Sequence, residues 1–460
     1  MRYIIVIVCT IVIIVLYKLA IGSLNLKKMN IFSYLFYSIL FFEYIGISLA
    51  YLGFRNHYLI QKLSNLEIID KTYYWSLYVI IMIPLVILFV TRVVFKFKKF
   101  EKIFNSNLMT KVDVTDKRYH NYVFYCVFIL TLVSLFAIIY VFKNIGYVPL
   151  FKYFGSNLDL AVERIKISRN FVGNEYIKNL LMILLTPMLS YIAYVYMKVT
   201  KQTKWKLMFI ILLIMSILVK TYDFSKAPII YYFFYFYILD VMLGKTQKKG
   251  ALKIFLLVLI TSILIVIFYR VVFNNKDPLI SLSNGPLARI IMTQAGTLLL
   301  HFEAFPTFVG FLNGKSFPKS IGILLGMDEY GIRSGRVLME VYNNRAIISG
   351  TAGVYSTVFY GEAYANFGIV GLILSPILVG VVFSLVMCLY LKSKKTPLNI
   401  VLYIECFILY TTSLQAGFID FIYNVSIIFV IAVILVLKFI PKIMLNIYKN
   451  KGRKEIQNGV

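Results

Sequence analysis

Apolar runs of roughly 20 residues recur along this chain, and no other feature limits its fold as much. A run of that length, coiled as a helix, crosses the hydrocarbon core of a bilayer. No water is available there, so backbone groups must bond within helices or within a closed barrel. Barrel strands alternate polar and apolar residues over roughly 10 positions. The run "IFLLVLITSILIVIF" at 254–268 does not alternate. The spacing therefore predicts an all-α polytopic membrane protein. Eleven spans are expected, near 3–21, 31–54, 73–95, 122–142, 177–197, 207–222, 227–243, 252–273, 364–391, 398–416 and 421–440. Composition agrees, with 60% hydrophobic residues, 15% charged residues and a mean hydropathy of +0.82. No internal repeat or low-complexity linker is visible, and 1–460 reads as one integral membrane domain.

The first run has an alternative reading. Residues 3–16 resemble a signal-peptide core, with "AIGS" at 20–23 as a cleavage site. The run continues to Ile21, however, and Lys27 and Lys28 follow at once, which favours an uncleaved span. The net charge of +28 would suggest nucleic acid in a soluble protein. Here the charges lie in connections between spans, and no nucleic-acid partner is expected. Basic connections at 96–118, 198–206, 245–253 and 392–395, with the tail after 438, all fall on one side. By the positive-inside rule that side is cytoplasmic, which puts the N-terminus outside and the C-terminus inside.

Two large loops then face outward, 143–176 and 274–363. Loops of such length are usually functional or disordered. The second contains "RIIMTQAGTLLLHFEAF" at 289–305, with Gln294, Thr297 and His301 on one helical face. It is expected to form an ordered cap of amphipathic helices that partly dips into the outer leaflet. On this topology 25 of the 36 lysines lie inside, but only 3 of the 12 arginines do. The positive-inside rule treats both types alike, so the outer surface has its own preference for guanidinium. Arginine offers a planar fork suited to phosphate and carboxylate; lysine is a hydrated point charge. Arg164, Arg169, Arg289, Arg333, Arg336 and Arg345 all fall in the two outer loops. They serve either as partners of the acids in the same loops, as headgroup contacts, or as an anion-binding set.

Other candidates keep two readings each. Residues 161–171 form either an interfacial helix or a claw for an anion at the membrane surface. Asp223 and Lys226, in the outer turn 220–228, either pair locally or line the same outer cavity. Gly371/Ser375 and Gly380/Ser384 are small-xxx-small pairs that allow close helix approach. Glu362 lies at the lip of span nine, where it either acts chemically or complements the helix dipole. The four cysteines, all inside apolar runs, read as packing residues. Zinc-protease, P-loop, nucleophile-elbow and dinucleotide motifs are missing from the sequence, and no metal or cofactor is expected.

In its order of motifs the chain resembles the O-antigen and capsular oligosaccharide repeat-unit polymerases, the Wzy type. The likeness rests on "ERIKISR" in the first outer loop and "FSKAPII" after the short outer turn. It continues with "ARIIMTQAG" and "HFEAFPTFVGFLNGKSFP" in the second loop and "YGEAYANFGIVG" entering a span. Some members carry an Arg-x15-Gly pattern in each large loop; Arg345 and Gly361 have that spacing, whereas neither Arg164 nor Arg169 has it. The resemblance implies a GT-C-like polymerase architecture in the bacterial cytoplasmic membrane. It implies inverting, metal-independent transfer of one undecaprenyl-diphosphate-linked glycan onto another on the outer face. It further implies membrane lipid, a flippase and a chain-length regulator as partners. Arg289, Arg333, Arg336 and Arg345 become candidates for the diphosphate, and Arg164, Arg169 and Lys226 for diphosphate or glycan. Tyr355 becomes a candidate for sugar stacking, and Glu362 and His301 for the base that an acceptor hydroxyl needs. The rival classes are a lipid-linked oligosaccharide flippase, a glycan ligase using the same carrier, and an acyltransferase built on His301.

Overall fold

The computed structural model describes residues 1–149, 151, 163–165, 167, 171–225, 227–244, 281–350 and 352–457. The expected span 252–273 and the candidates Arg169 and Lys226 lie outside these residues. The fold is all-helical, with 77% of it in helix and no strand among the described residues. Twelve helices frame the description: α1 (Arg2–Ile21), α2 (Ile31–Tyr51), α3 (Ile68–Val94), α4 (Lys117–Ile145), α5 (Ile177–Thr200), α6 (Thr203–Lys220), α7 (Ala227–Met242), α8 (Thr293–Thr307), α9 (Ser334–Tyr342), α10 (Phe359–Lys392), α11 (Pro397–Ala416) and α12 (Val425–Gln457). Eight of them, α1–α5 and α10–α12, are long and apolar enough to cross a membrane among the described residues. The shorter α6 and α7 have 18 and 16 residues and also match expected spans. Eight of the eleven expected spans coincide with these long apolar helices. Polar residues such as Asp70, Lys71 and Lys117 extend the helices beyond their apolar cores.

The helices pack into two compact units. The first contains 1–105, 263–389 and 407–424. Its N-terminal helices run up and down. The Arg2 guanidinium donates to the Tyr51 carbonyl (3.1 Å) and to Asp70 (2.7 Å), which gathers the start of α1, the end of α2 and the start of α3. At the other end Arg92 donates to the Leu19 carbonyl at 3.1 Å. Helix α2 starts on a capping box: Asn30 accepts from the Ser33 backbone N–H, and Ser33 Oγ accepts from that of Asn30. Helix α10 approaches α3 at Gly380, where a Cβ would lie 2.8 Å from Val86 Cβ. This matches the expected role of one small-residue pair.

Gly371 has a different role. Helix α10 breaks at Gly368, whose φ of 59° and ψ of −140° suit only glycine. The chain bends there, so a Cβ at Gly371 would run into the Ala363 carbonyl of its own helix. The break exposes helical carbonyls, and the segment after α8 satisfies them. Leu312 N–H donates to Ala365 O (2.9 Å), and Asn313 N–H donates to Asn366 O (3.0 Å). Asn366 Nδ2 adds a bond to Ser316 Oγ at 3.0 Å.

The second unit contains 106–262, 390–406 and 425–460. Its interior is aromatic and polar. Trp205 stacks on Tyr196 at 4.2 Å between centroids, and Ser190 shares a hydroxyl bond with Tyr232 at 2.9 Å. Lys395 Nζ donates to the carbonyls of Asn107 (2.6 Å) and Leu108 (3.1 Å) at a helix end, a favourable place for a cation. All four cysteines are free thiols.

Candidate functional site

Glu362 stands in the first turn of α10, where a carboxylate complements the helix dipole. It is only 2% exposed and carries a bond on each oxygen. Oε1 meets Arg333 Nε at 2.8 Å, and Oε2 accepts from the Ile419 N–H at 3.1 Å. Arg333 turns its outer edge to Asp420, with Nη1 to Oδ1 at 3.0 Å and Nη2 to Oδ2 at 3.2 Å. Nη2 also reaches the Ala416 carbonyl at 3.1 Å. Burial disfavours the Arg333 charge, but Glu362 and then Asp420 outweigh it and hold its pKa above the ordinary value. One guanidinium thus joins the segment before α9, the start of α10 and the turn after α11. Gly417 sits inside this knot with a φ of 153°, and a Cβ there would run into Glu362 and Arg333.

A second buried arrangement lies on α8. Residues 295–305 of this helix are buried on every side, so its expected polar face meets protein and not solvent or lipid. Thr297 Oγ1 donates to the Ser356 carbonyl at 2.9 Å. His301 Nδ1 lies 2.7 Å from the Thr297 carbonyl and Nε2 lies 3.0 Å from Ser334 Oγ. A carbonyl only accepts, so Nδ1 carries the proton and Nε2 accepts from the Ser334 hydroxyl. Burial pushes the imidazole pKa down to about 4, although the Thr297 bond opposes this. Two residues on, Glu303 is 4% exposed and faces only neutral donors. Oε1 accepts from Ser64 N–H (2.8 Å), Ser64 Oγ (2.9 Å) and Asn65 N–H (2.8 Å), while Oε2 accepts from the Tyr342 hydroxyl (2.6 Å). Helix α9 is thereby braced at both ends, at Ser334 by His301 and at Tyr342 by Glu303.

The remaining candidates scatter around this frame. Arg336 is partly exposed beside Glu340, with Nε 3.6 Å from the carboxylate. Arg345 is exposed in the short helix Asn344–Ile348. Arg289 is exposed at the end of the helix Pro286–Ile291 and influences Tyr58 electrostatically. Tyr355 lies under Lys62, whose Nζ is 5.8 Å from the ring centroid. All of these belong to the first unit. Arg164 belongs to the second, where it influences Tyr222.

Several interacting residues escaped the sequence reading. Asp420, Lys62 and Ser334 are ordinary polar residues until the fold brings partners from 33 to 280 positions away. Glu43 did leave a signal, as a charge inside the apolar run "LFFEY". It is 1% exposed, lies in a π-helical turn of α2, and accepts from the Tyr360 hydroxyl. Tyr360 also bonds Ser76 at 2.8 Å. In the second unit Glu405 is buried within α11, and its Oε1 has no hydrogen-bond partner among the described residues.

Fold and site together define a polytopic helical protein of membrane-spanning character, with the segment 281–350 locked by buried carboxylates. No protein-family model, no curated protein and no solved structure matches the chain.

Proposed function

We propose that this chain is a polymerase that joins undecaprenyl-diphosphate-linked oligosaccharide repeat units into a surface polysaccharide. The setting is the outer face of the bacterial cytoplasmic membrane, with the N-terminus outside and the C-terminus inside. The observation that carries this reading is the ordered segment 281–350. It packs on α2 at Gly46 and on the loop after α2 at Leu59 and Ser64, and it holds Arg289, Arg336 and Arg345 at accessible positions. Guanidinium groups fixed near a membrane surface suit a leaving diphosphate, because preorganised charge often lowers a barrier more than any other single effect.

In the proposed step an acceptor hydroxyl oxygen attacks the anomeric carbon of the donor sugar. The bond from that carbon to the diphosphate breaks, the diphosphate leaves with the electron pair, and the hydroxyl proton passes to a base. Glu362 is the better-placed base, because Arg333 and its neighbour Asp420 couple it to anion binding. A diphosphate that draws Arg333 toward itself releases Glu362 Oε1 to accept the proton. His301 is enclosed by Thr297 and Ser334 and serves α9 by holding Ser334.

The test is incubation of the purified protein with a synthetic undecaprenyl-diphosphate repeat unit in detergent, without nucleotide. A ladder of longer lipid-linked products is expected. Transport of that lipid across vesicles without a ladder would replace the reading by a flippase. The flippase reading draws support from Glu43 and Glu405, carboxyl groups buried within span-length helices. Transfer of the glycan to a different acceptor, without elongation, would mark a ligase.

A further inference from the structure

The loop between α2 and α3 carries no motif, yet the fold fixes it firmly. Glu303 takes three of its donors from Ser64 and Asn65. The same carboxylate accepts from Tyr342, whose backbone carbonyl accepts from Lys62 Nζ at 2.8 Å. The loop is therefore held against α9, and Lys62 is set over the Tyr355 ring.

An ammonium group has three donors. Lys62 gives one to Tyr342, and no carboxylate pairs with it among the described residues. Partial burial lowers its pKa from the ordinary lysine value, so an anion that joins it gains by restoring a partner to a partly dehydrated cation. Tyr58 lies nearby, 42% exposed, within electrostatic reach of both Tyr355 and Arg289. Lys62 and Tyr355 thus form one cluster, with Tyr58 and Arg289 in its electrostatic neighbourhood. Rings of this kind offer a flat apolar surface with a polar edge, and fixed cations supply charge-assisted hydrogen bonds.

We propose that Lys62, Tyr355, Tyr58 and Arg289 form a subsite for a sugar that carries an anionic group, either carboxylate or phosphate. The proposal rests on the glycan-substrate reading and names a class of sugar for it. The ring packs on the tyrosines and the anion pairs with Lys62, with the positive field of Arg289 nearby.

The test uses the full chain in detergent with three soluble probes: trigalacturonate, a trisaccharide phosphate and neutral maltotriose. Inorganic phosphate serves as a fourth, sugar-free probe. Calorimetry should show the anionic sugars binding about ten-fold more tightly than maltotriose. Lys62→Ala should remove most of that preference, and Lys62→Arg should keep it. Trigalacturonate and the sugar phosphate compared separately show which anion is preferred; phosphate alone should bind weakly. Equal binding of charged and neutral sugars overturns the subsite, as does a Lys62→Ala protein, unchanged in melting temperature, that keeps the wild-type preference. The polymerase reading is decided apart from this. A ladder from a neutral repeat unit, with no effect of Lys62→Ala on any probe, leaves the polymerase and removes the subsite. Lys62-dependent binding without a ladder leaves the subsite and removes the polymerase.

Discussion

Glu362 and Glu303 are both buried carboxylates of the first unit, and they solve burial in opposite ways. Glu362 meets a guanidinium that it shares with Asp420. Glu303 meets two backbone N–H groups and two hydroxyls, and no cation pairs with it among the described residues. An ion pair can be opened by a competing anion, because the guanidinium has another partner to choose. A carboxylate held by neutral donors has no such competitor. The difference makes Glu362 the movable acid and Glu303 the fixed one.

The largest effect that tests this contrast is removal of the cation. Arg333→Ala leaves Glu362 buried without its charge partner and should cost about 3–5 kcal/mol, read as a fall in thermal midpoint in detergent. Arg333→Met combined with Glu362→Leu should recover most of the loss. A loss confined to a few tenths of a kcal/mol would mean that the pair is not a clamp.

Acid should act next. The folded His301 pKa is near 4 and the unfolded value is about 6.5, so the unfolded chain binds the extra proton between these limits. The stability this contributes is complete above about pH 6.5 and is lost as pH falls toward 4, on the order of 3 kcal/mol. His57 is shifted the same way by burial and adds its own share. Melting curves from pH 7 to 4 should flatten in His301→Gln and flatten further when His57→Gln is added. Identical curves for wild type and double variant would refute the neutral, buried assignment.

Glu303→Ala should cost about 1–3 kcal/mol, because several buried donors lose their acceptor. Glu303→Gln should cost less, since its oxygen still serves Ser64 and Asn65 and its amide can donate to Tyr342. A larger loss for Gln than for Ala would contradict the neutral cradle. Smallest is Arg336→Ala, whose pair with Glu340 is largely exposed and long at 3.6 Å. Its stability should barely change, within about 0.5 kcal/mol. A lost ladder with that unchanged stability would place Arg336 at the substrate.

The membrane helices were legible in the sequence because apolar length is a local property. Expected spans such as 31–54 and 177–197 overlay α2 and α5 within a few residues. Arg333 and Glu362 also stood out, as a charge in a loop and an acid beside an apolar run. Their partnership did not, since it depends on Asp420 and the Ile419 N–H, 57 or more positions from either. The part Gly371 plays in the bend was not legible for a related reason. Spacing suggested close approach of another helix, and the bend at Gly368 adds a need for glycine at 371, where a Cβ would meet the Ala363 carbonyl. Lys62 and Glu303 gave no local signal, because their meaning lies in who meets them.

That bend also sets a clock. The amides of Leu312 and Asn313 lie outside any helix, yet they donate to the carbonyls of Ala365 and Asn366 opened by Gly368. Their hydrogens should exchange with solvent as slowly as those of the adjoining membrane helix, and both sets should speed up together whenever the bend relaxes. Two loop amides thus report on the integrity of a helix to which they do not belong.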